Sequence, residues 1–122
     1  ATPVQACAEE PTVRIPLGRI VAARSGDKGG DANVGVWVSS DDAFAWLTWY
    51  LTSDRLGKLV PEAASLGIER YVFPRLRAVN FVLRGFLGEG VASSPKWDPQ
   101  AKTLGEYLRA RLVDVPERLV AA

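Results

Sequence analysis

The chain contains no histidine. That absence excludes a Ser-His-Asp or Cys-His triad, a histidine-ligated zinc and a histidine general base. Any chemistry falls to carboxylates, lysine, arginine, tyrosine, hydroxyls or the backbone. Methionine is absent too, even at position 1, as expected of a chain that is processed or cut from a longer polypeptide. The single cysteine, Cys7, allows no internal disulfide and gives no sign of an oxidising compartment, so the sequence reads as cytoplasmic. The apolar runs are far short of a membrane span. Charge of one sign is also missing: 15 Lys and Arg against 14 Asp and Glu leave +1, too weak a field to recruit nucleic acid or an anionic membrane.

What is present is globular: 122 residues, 48% hydrophobic and 24% charged, enough for one domain with one core. Residues 1–12 lack the basic start and apolar stretch of a signal peptide and read as a linker or disordered leader, leaving 13–119 as the domain. Val13 to Ala23 reads as a strand interrupted near Pro16 and Gly18. Arg24 to Asn33 follows as a polar, glycine-rich loop, and Val34 to Val38 as a strand with Val34, Val36 and Val38 on one face and Gly35 and Trp37 on the other.

Ser39-Ser40-Asp41-Asp42 starts a helix, with hydroxyl caps and acids placed at the positive end of its dipole, and the stripe Phe44, Leu47, Leu51 gives it a core face. Thr52-Ser53-Asp54 caps a further short helix that Pro61 limits, and Ile68 to Phe73 reads as a strand ended by Pro74. Val79 to Leu87 fits a helix closed by Gly88, although Val79, Phe81 and Leu83 also alternate as in a strand. Val91 to Trp97 reads as a strand. Asp98-Pro99 then opens a last helix over 99–111, and Val113 to Val115 closes the sheet. Alternating strands and helices predict a two-layer α+β sandwich of ferredoxin-like topology, with an antiparallel sheet covered on one face.

The segments RSGDKGGDANVGVWV (24–38), RAVNFVLRGFLGEGV (77–91) and DPQAKTLGEYLRAR (98–111) resemble the C-terminal ferredoxin-like domain of the acyclic terpene utilisation AtuA-like family. The resemblance implies a domain found behind a larger N-terminal domain or as a small separate protein. It also implies a setting of acyclic terpenoid or branched acyl-CoA breakdown in bacteria. It implies no assigned reaction, so catalytic residues are left unnamed.

The strongest chemical candidate is the stretch Arg24, Ser25, Gly26, Asp27, Lys28, Gly29, Gly30, Asp31, Ala32, Asn33. Its glycines let amides turn toward one point, and Arg24 and Lys28 suit a phosphate or carboxylate, such as an acyl-CoA phosphate. The competing reading is a hairpin connection in which Asp27 and Asp31 pair with Arg24 and Lys28. Asp27, Asp31 and Asn33 miss the spacing of a calcium loop, so no metal is expected, and no motif calls for a cofactor. Asn80, inside an apolar run, either ties down the backbone or faces a ligand.

Four tryptophans exceed what one narrow helix stripe can bury, so an aromatic patch is expected at the surface, with Trp49 and Trp46 at the contact with a companion domain, a partner subunit or a second copy. Two function classes follow. One is an accessory or interaction domain without a complete catalytic constellation. The other is an anion- or acyl-CoA-binding module working through Arg24 to Asn33.

Overall fold

Hydrophobic spacing organises the computed structural model, which describes residues 10–86 and 103–120. The apolar alternation of the early strands becomes β1 (Thr12–Pro16), β2 (Ala22–Lys28) and β3 (Asp31–Trp37). Two helices follow, α1 (Asp41–Tyr50) and α2 (Ser53–Leu59), then β4 (Ile68–Phe73) and β5 (Ala78–Leu83). The described chain closes with α3 (Leu104–Ala110), β6 (Leu112–Pro116) and α4 (Glu117–Val120).

The main sheet is antiparallel, in the order β2-β3-β5-β4. From β2 to α3 the chain runs β-β-α-α-β-β-α, and with the consecutive helices α1 and α2 taken as one helical layer this is the ferredoxin-like β-α-β-β-α-β unit read from a different starting strand. One face is apolar: Ala32, Val34 and Val36 on β3 stand opposite Leu83, Phe81 and Val79 on β5, all fully buried. Helices cover this face. The Gly105 amide of α3 donates to Ser25 Oγ at 2.7 Å, and Arg70 of β4 donates to the carbonyls of Thr48 and Leu51 at the end of α1. Trp46 and Leu47 of α1 and Leu104 and Leu108 of α3 fill the layer between. A buried side chain of this size contributes roughly 1.5–3 kcal/mol by leaving water.

The caps on α1 and α2 are those the sequence predicts. Ser40 Oγ accepts from the Ala43 amide and Thr52 Oγ1 from the Arg55 amide, each at 3.1 Å. Each hydroxyl satisfies an amide that has no partner inside the helix.

Four expectations are corrected. Val13 to Ala23 is interrupted near Pro16 and Gly18 as expected, by a 3-10 turn at Leu17–Arg19, but its first half does not enter the main sheet, which only Ala22 onward joins. Val113 to Val115 does not close the main sheet either. It pairs with β1 in a separate two-stranded ribbon, Val13 opposite Val115 and Arg14 opposite Asp114. Arg24 to Asn33 is no loop. β2 and β3 run through it and leave Gly29 and Gly30 as a two-residue turn, with φ +68° at Gly29. The described part of the expected helix, 79–86, is a strand to Leu83 followed by a turn over 84–86, because β5 lies between β3 and β4 and both neighbours supply ladder hydrogen bonds. The expected strand Val91 to Trp97, the Asp98-Pro99 helix start, and Gly88 and Gly90 lie outside the described residues.

Candidate functional site

Strand alternation sends every second residue of the main sheet away from the helices, and register aligns those residues into rows across the open face. One row is Arg24, Gly35, Asn80 and Tyr71; beside it runs Gly26, Asn33, Val82 and Glu69; on the other side runs Ala22, Trp37, Ala78 and Phe73. Four of the residues singled out in the sequence, Arg24, Gly26, Asn33 and Asn80, therefore meet on one surface. They come from three strands.

The glycines shape it. A Cβ on Gly35 would stand 3.2 Å from Asn80 Oδ1, and one on Gly26 would stand 3.7 Å from Asn33 Oδ1, so each carboxamide lies over a glycine of the neighbouring strand. The resulting cleft, about 370 Å³, is bordered by Arg24, Gly26, Asn33, Gly35, Trp37 and Asn80. Arg24 and Trp37 also border an adjoining depression of about 680 Å³ at the free edge of β2, beside Gly105 and Glu106. Among the described residues, neither carboxamide has a hydrogen-bond partner and exposed Arg24 has no ion-pair partner. These groups are available to something else.

Aromatic residues occupy the rest of the face. Trp37, Tyr71 and Phe73 are 41%, 46% and 45% exposed, and the neighbouring Leu76 is 69% exposed. The surplus of aromatics thus does reach the surface, but through different residues from those expected. Trp46 is corrected outright: it is 1% exposed and stacks on Tyr50 at 5.0 Å between ring centroids, so it has no surface to offer. Trp49 is half-buried and packs against the core beside Tyr50. The signal for the exposed set was the placement of Trp37 opposite the valines of β3. Tyr71 and Phe73 carried the same period-two signal on β4.

The remaining members of the glycine-rich stretch divide by role. Ser25 points to the helix side and anchors α3. Asp27 is exposed, opposite Ala32, and Gly29 and Gly30 make the turn. Lys28 ends β2, and only its backbone is described. The expected nest of amides does not form there, because successive amides of an extended strand point in opposite directions and cannot converge on one anion.

Among the described side chains, Asp31 pairs with Arg84 and not with Arg24 as the hairpin reading had it. It accepts from the Gly85 amide at 2.7 Å and from Arg84 at 2.9 Å, and these bonds, the backbone one first, hold its carboxyl below the ordinary range. Arg84 also bonds Glu69, whose carboxyl is lowered first by the Tyr71 hydroxyl and then by Arg84. This network staples β3, β4 and the turn after β5 at one end of the open face. Among the described residues no three acidic or cysteine side chains converge as metal ligands. None of the described helices is long and apolar enough to cross a membrane.

Residues 15–114 match the family model described as the AtuA ferredoxin-like domain. No curated protein and no solved structure shows significant similarity to the chain.

Proposed function

Because the chain belongs to the AtuA ferredoxin-like domain family, with 15–114 inside the match, we propose that it is an accessory domain. On this reading it docks through the open face of its sheet onto a companion AtuA-type domain or subunit in acyclic terpenoid or branched acyl-CoA breakdown. The observation that carries the reading is the aromatic half of that face. Trp37 and Phe73 flank Ala78 in one row and Tyr71 stands in the next, each more than 40% exposed, while the opposite face of the same sheet is closed by helices. Aromatic rings exposed together on one side of a domain are the usual anchors of an interface. Small Ala78 and Gly35 between them leave room for side chains of a partner.

The test is association of this chain with an AtuA-type companion domain, followed by calorimetry and light scattering. A one-to-one complex is expected, weakened at least about tenfold by Phe73→Glu, since loss of a central aromatic anchor costs about 2 kcal/mol or more. The variant folds as the wild type because Phe73 is a surface residue at a strand end. A complex indifferent to Phe73→Glu refutes docking through this face. If Phe73→Glu instead dissolves a homodimer of the wild type, the occupant is a second copy and the companion-domain reading fails.

A further inference from the structure

The aromatic half of the open face suits docking, but its polar half is built differently. Arg24, Asn33 and Asn80 are three hydrogen-bonding side chains that fold maturation has left without partners among the described residues, around a cleft with glycine at its floor and indole at its wall. Polar side chains brought together by three strands and satisfied by none of them are complementary to an absent group.

The chemistry of the set restricts that group. Trp37 offers a flat, 41% exposed ring for stacking. Each carboxamide carries a donor and an acceptor side by side, the pattern that pairs with the amino and ring-nitrogen edge of adenine. Arg24 supplies a fork of donors fitted to phosphate. Gly35 and Gly26 let the two carboxamides lie close against the backbone, which fixes where their polar edges face the cleft. A net charge of +1 and a single arginine at the cleft rule against a polymer, which needs a track of cations. The volume of about 370 Å³ is that of a site for one small molecule. We propose that this cleft binds the adenine and phosphate of a mononucleotide unit, with Trp37 stacking on the base, Asn33 and Asn80 reading its edge, and Arg24 holding a phosphate.

The proposal does not rest on the docking reading, and the two are separable because Arg24, on β2, lies across the sheet from Phe73, on β4, with β3 and β5 between them. Binding is measured by calorimetry with AMP, adenosine 3′,5′-bisphosphate, CMP, adenosine and inorganic phosphate. It is mapped by amide and indole chemical shifts. The expected order is the adenine nucleotides above CMP, adenosine and phosphate, with shifts at Arg24, Asn33, Trp37 and Asn80. Arg24→Ala weakens AMP at least about tenfold and leaves adenosine unchanged, because only a charge-assisted phosphate contact is lost. Asn80→Ala weakens AMP and adenosine alike, while the preference over CMP, which comes from the larger stacking area of the purine, is retained. Arg24→Ala leaves the companion-domain complex of the Phe73 experiment intact. Phosphate binding as tightly as AMP, CMP binding as tightly as AMP, shifts confined to another surface, or no binding at 10-millimolar-order concentrations (~10 mM, far weaker than the millimolar-to-micromolar range of specific ligands) each overturns the proposal.

Discussion

Asp31 shows how one carboxylate couples local structure to conditions. It begins β3 and reaches across to the turn after β5, where Gly85 takes up φ +73° and offers its amide. Both the Gly85 amide and Arg84 favour the charged form, so the folded-state pKa lies below the ordinary 3.8, and Glu69 likewise lies below 4.5. A carboxylate with a depressed folded pKa contributes stability that is fully present above its unfolded value. That contribution is lost as pH falls through the folded one. Stability supplied by this pair is therefore intact from neutral pH to about pH 5 and disappears as pH drops through 4 and below. Asp31→Asn and Glu69→Gln are expected to be less stable than wild type at pH 7 and to lose less on going to pH 3. Urea titrations at the two pH values measure this, and parallel losses in wild type and variants would contradict it. At the same scale Asn80 was legible as an anomaly, a carboxamide inside an apolar run. Its meaning depended on the strand register that sets it over Gly35.

Among the elements, α1 follows most directly from the chain. Ser40 precedes Asp41 and Asp42, which face the positive helix end, and Leu47 and Trp46 supply buried surface. Ser40→Ala is expected to cost about 1 kcal/mol, and Ser40→Gly only a few tenths. Thermal unfolding of the two variants checks the difference, and equal losses would point to something other than the cap. β5 shows the opposite case. In a run as short as Val79 to Leu87, periods of 2 and 3.6 overlap, and both templates collect apolar residues. The long-range partners break the tie: as a central strand, β5 sets Val79, Phe81 and Leu83 against Val36, Val34 and Ala32 and gains a ladder on both sides. β1 and β6 were readable as strands for the same reason that their sheet was not. Alternation shows that a segment is extended and half-buried, and nothing local states which other strand completes it.

At the scale of the molecule, the question is which aromatic surface is for packing and which for partners. Trp49 sits half-buried against the core on α1, on the helix layer, whereas Trp37, Tyr71 and Phe73 stand on the opposite, open side of the sheet. Trp49→Glu is accordingly expected to lower stability by about 2 kcal/mol, less than the loss for a fully buried tryptophan, and to leave association unchanged. Light scattering together with denaturant unfolding decides this. An oligomer that separates into stable folded monomers on this substitution would place the contact on α1 instead. On the two proposals, the open face would serve a companion domain on the side toward Phe73 and a small ligand on the side toward Arg24.

Composition and spacing alone determined the α+β class of the fold and the absence of histidine chemistry, with capped helices and alternating strands whose segments resemble one family. These properties are local, since caps, turn glycines and hydrophobic periods act over a few residues. The position of each strand, the division into a main sheet and a ribbon, and the meeting of Arg24, Asn33, Trp37 and Asn80 across three strands were decided by tertiary pairing. A glycine-rich stretch that reads as a loop becomes two strands once β5 is available as a neighbour. Its chemistry moves from converging amides to side chains on an open face because extended backbone turns every second residue to the same side.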